Sequence, residues 1–391
     1  MRIAVIADDL TGAADCGVQF ARSGYRTAVI FEGAPLPDGE DLDALAQDTN
    51  SRELDAPAAC ERAAAATASL RSARILYKKL DSTLRGNVAA ELGATLEVSG
   101  RATGVLAPAF PETGRTTSHG TQMVYGEPLN NSEFARDSGV ISHKGRIPWL
   151  LREGGLGPVS LLGVDELEDR EKVETALVRA RWIVADAESE EHLEALTRAI
   201  PDPTGVVWAG SAGLARALGR VYRGPRALAP QAFSASRVLA VVGSTSAVAS
   251  EQLRILADEP HVEPIVLERR DDTLAAARRA LAQGRNVAVC SVRDRKAGAE
   301  DRTASALAEV VAELEHDGLF DGLILTGGDT AARVASALGA VGILLDEEVE
   351  PGVPAGSLLG PRPYPVVTKA GGFGKPATLK EALRFLTGGR A

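Results

Sequence analysis

Short apolar runs rich in β-branched residues alternate along this chain with alanine- and leucine-rich stretches of helical period, and that alternation restricts the fold more than any other feature. A strand that is apolar at every position has no face for water. It must be covered on both sides, and helices between consecutive strands supply the cover. Runs at 3–7, 27–31, 75–79, 104–107, 182–186 and 205–209 form one series, with amphipathic stretches at 85–96, 165–181 and 190–200. A second series begins at 237–242 and continues through 264–267, 286–291, 322–326 and 365–369. The pattern predicts an α/β protein: two Rossmann-like domains with mainly parallel sheets and a ligand cleft between them.

The stretch YRGPRALAPQAFSAS at 222–236 carries two prolines and no clear period, and is the best linker candidate. A boundary near 230 gives domains of ordinary size at 1–230 and 231–391. The segment 111–148 is dense in Gly, Thr, Ser and Asn with weak periodicity, and is expected to be a long irregular loop of the functional kind.

Composition removes several function classes. With 53 acidic against 43 basic residues and 4% aromatics, the chain lacks the basic footprint and stacking rings of a nucleic-acid binder. Cys16, Cys60 and Cys290 are too few and too scattered for a disulfide framework or a zinc cage. No run approaches ~18 apolar residues, and MRIAVIADD turns acidic too early for a signal peptide. A cytoplasmic protein with no membrane partner is the expectation. The five histidines show no metal-binding spacing; His119, in the irregular segment, is a candidate substrate contact.

In doubly wound sheets ligands bind at the carboxyl ends of the strands, so the residues that follow each strand carry the functional information. After the first comes Asp8-Asp9-Leu10-Thr11-Gly12. One carboxylate there would serve as a helix cap; a pair followed by threonine favours a site that holds Mg²⁺ or accepts a hydroxyl proton. After the strand at 75–79 comes Leu80-Asp81-Ser82-Thr83-Leu84-Arg85, behind Lys78 and Lys79. Arginine offers a bidentate fork, lysine a point charge, and the hydroxyls supply donors and acceptors. Arg52, after Asn50-Ser51, and Arg115, before Thr116-Thr117, add cations that could face one small anion.

The second half replaces charge with glycine. Gly243-Ser244-Thr245-Ser246, Gly327-Gly328-Asp329-Thr330 and Gly371-Gly372-Phe373-Gly374 each follow a strand. Glycine lets the backbone approach a ligand, and exposed N–H groups at helix starts bind phosphate. Three such turns in one domain point to a nucleotide. No GxxxxGK[ST] is present, which argues against a P-loop. Gly372 to Ala377 fits GxGxxA, but the chain ends before the acidic partner that a dinucleotide site requires.

ADDLTGAAD, YKKLDSTLRGNVAAEL, APAFPETGRTT, VVGSTS, LTGGDTAARV, EPGVPAG and VTKAGGFG occur together and in order, and with them the chain resembles the four-carbon acid sugar kinase family over residues 3 to about 379. The resemblance implies ATP-dependent phosphorylation of the terminal (4-)hydroxyl of a tetronate such as threonate, erythronate or 3-oxo-tetronate. It implies a first domain that binds the sugar acid and a second that binds ATP. Asp8, Asp9, Arg52, Lys79, Asp81, Ser82 and Arg85 match the substrate side; Ser244, Gly327, Gly328, Asp329, Thr330, Gly371, Gly372, Phe373 and Gly374 match the nucleotide side. Arg52, Lys79 and Arg85 are expected to clamp the substrate, with Asp81 or Asp9 as the catalytic carboxylate. Asp329 takes a metal or nucleotide role; no metal ligand set is assigned and the oligomeric state stays open. The sequence departs from the family pattern at 118–121 and 132–138, which bears on substrate identity. The alternatives are a non-catalytic sugar-acid and nucleotide sensor, and a dehydrogenase.

Overall fold

The computed structural model describes residues 1–35, 41–132, 145–226, 233–291 and 300–389, with the side chains of 300 and 301 outside the description. His143, the segment 133–138 and the linker position at 230 lie outside the described residues. The chain forms two compact units. The first comprises Met1–Thr27 and Asp41–Leu228; the second comprises Ala28–Glu40 and Ala229–Ala391.

The first unit opens with β1 (Ile3–Ala7) and α1 (Leu10–Ala21). The chain then gives Ala28–Ile30 of β2 (Thr27–Ile30) to the second unit and returns for β3 (Ala44–Asp48), α2 (Ala56–Leu70), β4 (Ile75–Lys79), α3 (Val88–Ser99) and β5 (Thr103–Ala107). A small antiparallel sheet follows, β6 (Arg115–Ser118), β7 (Thr121–Val124) and β8 (Glu127–Pro128), and then β9 (Val159–Leu162), β10 (Trp182–Ala185) and β11 (Val206–Gly210). The main sheet of this unit runs β3-β1-β4-β11-β5-β10-β9, and the paired strands are parallel. Trp182, Trp208 and Tyr77 are its largest fully buried apolar side chains.

Register fixes which loops meet. Ala7 lies opposite Asp48 on one side and Lys79 on the other, and Lys79 in turn lies opposite Gly210. The residues following β3, β1 and β4 therefore leave the sheet side by side.

The second unit contains β12 (Val238–Val242), α4 (Ala247–Ala257), β13 (Val262–Leu267), β14 (Asn286–Ser291), β15 (Gly322–Thr326), α5 (Gly328–Ala337), β16 (Gly342–Glu350), β17 (Val353–Leu359), β18 (Pro365–Lys369) and α6 (Thr378–Leu386). Its strand order is β13-β14-β12-β15-β18-β17-β16-β2. The first five strands are parallel; β17 runs antiparallel to both β18 and β16. Val242, Thr326 and Lys369 are level in the register, so the three glycine-rich turns leave adjacent strands together.

The expected strands appear at or within two residues of their places. Among the differences from expectation, two lie in the first unit. The segment 111–148 is not irregular throughout, because 115–128 form the antiparallel sheet; its Gly, Thr and Asn density is hairpin-turn chemistry, with Gly114, Gly120 and Gly126 at positive φ. The strand β3, ALAQD, has no β-branched residue, and its extended form comes from pairing with β1.

Candidate functional site

Two clusters lie at the carboxyl ends of the strands, one in each unit. In the first unit the chain after β3 folds back onto the end of β1. The N–H groups of Ser51 and Arg52 donate to the Asp8 carbonyl at 2.9 and 3.2 Å. The Arg52 guanidinium then returns to the Asp8 carboxylate as a bidentate fork, both bonds 2.8 Å, and reaches Asp9 Oδ2 at 2.5 Å. Burial would lift the Asp8 carboxyl, but the Arg52 charge and its hydrogen bonds outweigh it, and Asp8 stays below the usual carboxylate range.

Asp9 is the cap of α1 after all. Its Oδ1 accepts from Gly12 N–H at 2.8 Å, while Oδ2 takes Thr11 Oγ1 at 2.7 Å as well as Arg52. Capping and ion pairing together use both oxygens.

Asp81 is held differently. Thr83 Oγ1 at 2.5 Å and Arg85 Nε at 2.6 Å both donate to Oδ2, and among the described residues Oδ1 has no partner within the chain. Burial would raise this carboxyl; the charges of Arg85 and Arg52 overcome it and hold Asp81 far below its ordinary value. Arg85 spends Nε on the pair and keeps its side chain 41% exposed. Lys79 Nζ donates to the Leu80 carbonyl at 2.9 Å and sits beside Gly12 and the Asp9 loop. The positive φ of Leu84 and Gly86 turns the chain sharply between Asp81 and α3.

The expectation of a cationic pocket changes here. Arg52 and Arg85 are already paired with Asp8, Asp9 and Asp81, because so many charges in a half-buried space are tolerable only as pairs. Arg115 goes elsewhere. Its guanidinium lies 5.0 Å above the Tyr125 ring, bonds the Tyr125 hydroxyl at 3.1 Å and donates to the Thr113 carbonyl. Ser82 is joined through its carbonyl to Gln122 Nε2 at 2.7 Å.

Residue patterns had placed Lys78 and Ser51 near this cluster but had not singled out Thr49, Glu91, Gln122 or Asp186 beneath its surface. Lys78, 0% exposed, pairs with Glu91 at 2.6 Å; Glu91 accepts from Ser51 Oγ at 2.6 Å, and Ser51 meets Thr49 Oγ1 at 2.7 Å. That buried chain pins the 49–52 turn that presents Arg52. Gln122 also accepts from Thr117, and the carboxylate of Asp186 takes the N–H groups of His119 and Gly120, which ties the hairpin down. Their signal was a polar residue inside an apolar or alternating run, which shows burial only once the partner is known. His119 contributes its backbone to this tie. Cys16 is buried, and burial pushes its thiol well up, so it is inert packing.

In the second unit the three turns touch. A Cβ on Gly371 would overlap Ser244 Oγ, and one on Gly243 would overlap Thr330 Oγ1. Gly327, at φ +100°, begins α5 with no side-chain cap, so the first N–H groups of that helix stay available. The Thr326 hydroxyl, level with these turns, is buried and has no partner among the described residues. Ser246 Oγ donates to the Gly371 carbonyl at 2.8 Å, and Gln252 Nε2 donates to the carbonyls of Phe373 and Lys375 at 3.0 and 2.9 Å. Asp329 is exposed in the first turn of α5. These features fit a phosphate-bearing ligand: backbone donors, small residues and an orphaned hydroxyl converge. Among the described residues no three His, Cys, Asp or Glu side chains gather as a metal-ligand set. Nor is any described helix long and apolar enough to cross a membrane.

Residues 3–218 match a family model described as a sugar-binding N-terminal domain, and residues 239–379 one described as a nucleotide-binding C-terminal domain. A D-threonate kinase of Cupriavidus necator is 37% identical over 99% of this chain and 98% of its own length. A D-erythronate kinase of Heliobacterium modesticaldum is 30% identical over 94% and 93%. A solved structure from Salmonella typhimurium superposes with a TM-score of 0.82 at 24% identity, covering 98% of this chain and 99% of that one, and speaks for the fold alone. A Bordetella bronchiseptica domain, solved as a domain-swapped dimer with bound citrate, is 33% identical over 100% of both chains with a TM-score of 0.51.

Proposed function

The chain belongs to the four-carbon acid sugar kinase family, a family of sugar-acid kinases, and we propose that it moves the γ-phosphoryl group of ATP to the terminal hydroxyl of a tetronate, D-threonate before erythronate or 3-oxo-tetronate. The observation that carries the proposal is Asp81, open at Oδ1 and held at its other oxygen by the Arg85 guanidinium and the Thr83 hydroxyl, in the unit that matches a sugar-binding domain.

In this mechanism the exposed edge of Arg85 and the Lys79 ammonium meet the substrate carboxylate. The Bordetella relative was solved with citrate, a hydroxy-carboxylate, bound. Arg52, locked onto Asp8 and Asp9, is the fixed wall of the site. Asp81 Oδ1 accepts the substrate hydroxyl. Its low pKa keeps it ionised at neutral pH, so it orients that hydroxyl and takes the proton late, which suits a loose phosphoryl transfer. Both Asp9 oxygens are already engaged, Oδ1 by the Gly12 N–H and Oδ2 by Thr11 and Arg52, whereas Asp81 Oδ1 is open, so the task is assigned to Asp81. Gly327, Gly328, Thr330, Ser244 and the 371–374 turn receive the nucleotide phosphates. The alcohol oxygen bonds Pγ as the bond from Pγ to the β-bridging oxygen breaks; the proton passes to Asp81 and ADP departs. Any Mg²⁺ would arrive on the nucleotide. Self-association, as in the Bordetella dimer, belongs to the same proposal.

ADP release with Mg-ATP and a panel of four-carbon sugar acids tests the proposal. Turnover highest with D-threonate is expected. Binding of acid and nucleotide with no ADP from any member would establish the non-catalytic sensor instead.

A further inference from the structure

Lys369 ends β18 and is 1% exposed, yet it has no carboxylate within ion-pair distance among the described residues. Lys78, equally buried, has Glu91. Burial lowers the Lys369 ammonium from 10.5 to about 8, with the more distant Glu350 charge opposing the shift. Its hydrogen bonds go to two backbone carbonyls, Ala370 at 2.8 Å and Gly371 at 3.4 Å.

We propose that Lys369 is a positioning residue of the nucleotide site, whose ammonium holds the carbonyls of the 370–371 turn inward and thereby aims the N–H groups of that turn at phosphate. The geometry follows from peptide planarity. In a trans peptide the carbonyl of one residue and the N–H of the next point in opposite directions. Anchoring Ala370 C=O turns Gly371 N–H outward, and anchoring Gly371 C=O does the same for Gly372 N–H. The Gln252 bond to Phe373 C=O does it for Gly374 N–H. Those three N–H groups have no acceptor within the chain among the described residues, whereas Phe373 N–H is spent on Ala370 C=O at 3.2 Å. Outward N–H groups in successive residues over a buried positive charge form an anion-binding nest. The inference rests on this unit taking nucleotide phosphates.

Calorimetric titration of the full chain with ATP, and separately with the sugar acid, tests it. Lys369→Met keeps the apolar stem and removes the donor; it is expected to weaken ATP by about 10- to 100-fold, the range for hydrogen bonds to a charged group. Sugar-acid affinity should change less than about twofold. Ser246→Ala removes the other donor to Gly371 C=O without touching the charge, and should weaken ATP by about 2- to 10-fold. If the natural chain binds no ATP, the nucleotide assignment fails. If it binds ATP and folded Lys369→Met binds equally well, or loses both ligands alike, the role of Lys369 is overturned. Should Lys369→Met not fold, unchanged ATP affinity in Ser246→Ala overturns it.

Discussion

Asp81 and Asp9 stand close together and do different work, and the difference lies in which oxygens are free. Asp9 uses both, as cap and ion-pair partner. Asp81 keeps Oδ1. Asp81→Asn should lower kcat by about 10²- to 10⁴-fold, the usual weight of a group handling a proton, with nucleotide affinity intact. Asp9→Asn should act mainly through α1 and Arg52, seen as lost stability and weaker sugar-acid binding. Steady-state kinetics and thermal unfolding of both variants separate the roles; full turnover in Asp81→Asn removes Asp81 from the reaction. Because the folded pKa of Asp81 is depressed, its contribution to stability is complete above the unfolded value, about 3.9, and is lost as pH falls below it.

Lys369 also titrates below its ordinary value, but its window lies at high pH and its buried charge costs stability rather than adding it. Between about 8 and 10.5 the unfolded chain binds a proton that the folded chain does not. Its contribution to stability therefore rises with pH across that window, while the loss of the ammonium is expected to weaken ATP binding. Melting temperature and ATP affinity measured from pH 7.5 to 9.5 should diverge in the natural chain, and the affinity trend should vanish in Lys369→Met.

Among elements, the buried Lys78–Glu91 pair joins β4 to α3 and, through Ser51, to the turn after β3. Removing one partner leaves a buried charge alone: Glu91→Ala should cost about 3–5 kcal/mol in urea unfolding. Lys78→Met with Glu91→Leu should recover most of that stability. It should not recover sugar-acid affinity, because Ser51 would still lack its acceptor and Arg52 its fixed turn. Equal recovery of both would show that the pair is only structural. These elements were legible to different degrees. β4 and β18 were plain as buried apolar runs, whereas β3 and the β16–β17 hairpin were not: ALAQD and DEEVE carry no strand signal, and neighbouring strands impose their conformation. The hairpin at 115–128 was hidden because turn residues read alike in a hairpin and in a loop.

For the whole molecule, the chain's excursion through Ala28–Glu40 matters most. Phe31 N–H donates to the Val341 carbonyl at 3.0 Å, so β2 closes the β16 side of the second unit's sheet from a sequence position before the first unit is complete. A fragment of residues 233–391 would leave β16 as an open edge. It should be aggregation-prone in size-exclusion chromatography, and covalently appending residues 28–40 should increase its monomeric fraction.

Sequence alone determined the α/β class, the strand-end position of both clusters and the identity of most residues in them. Periodicity and loop chemistry are local properties, and one chain suffices to display them. Tertiary structure decided what those residues are bound to: that Arg52 and Arg85 come already paired, that Asp9 is spent while Asp81 is not, and that Arg115 turns to Tyr125. It also decided that Lys78 has a carboxylate and Lys369 has only carbonyls. Two lysines at strand ends look the same in sequence. What distinguishes them is the partner that folding brings within 3 Å, and in a buried site that partner sets the charge, the orientation and the chemistry.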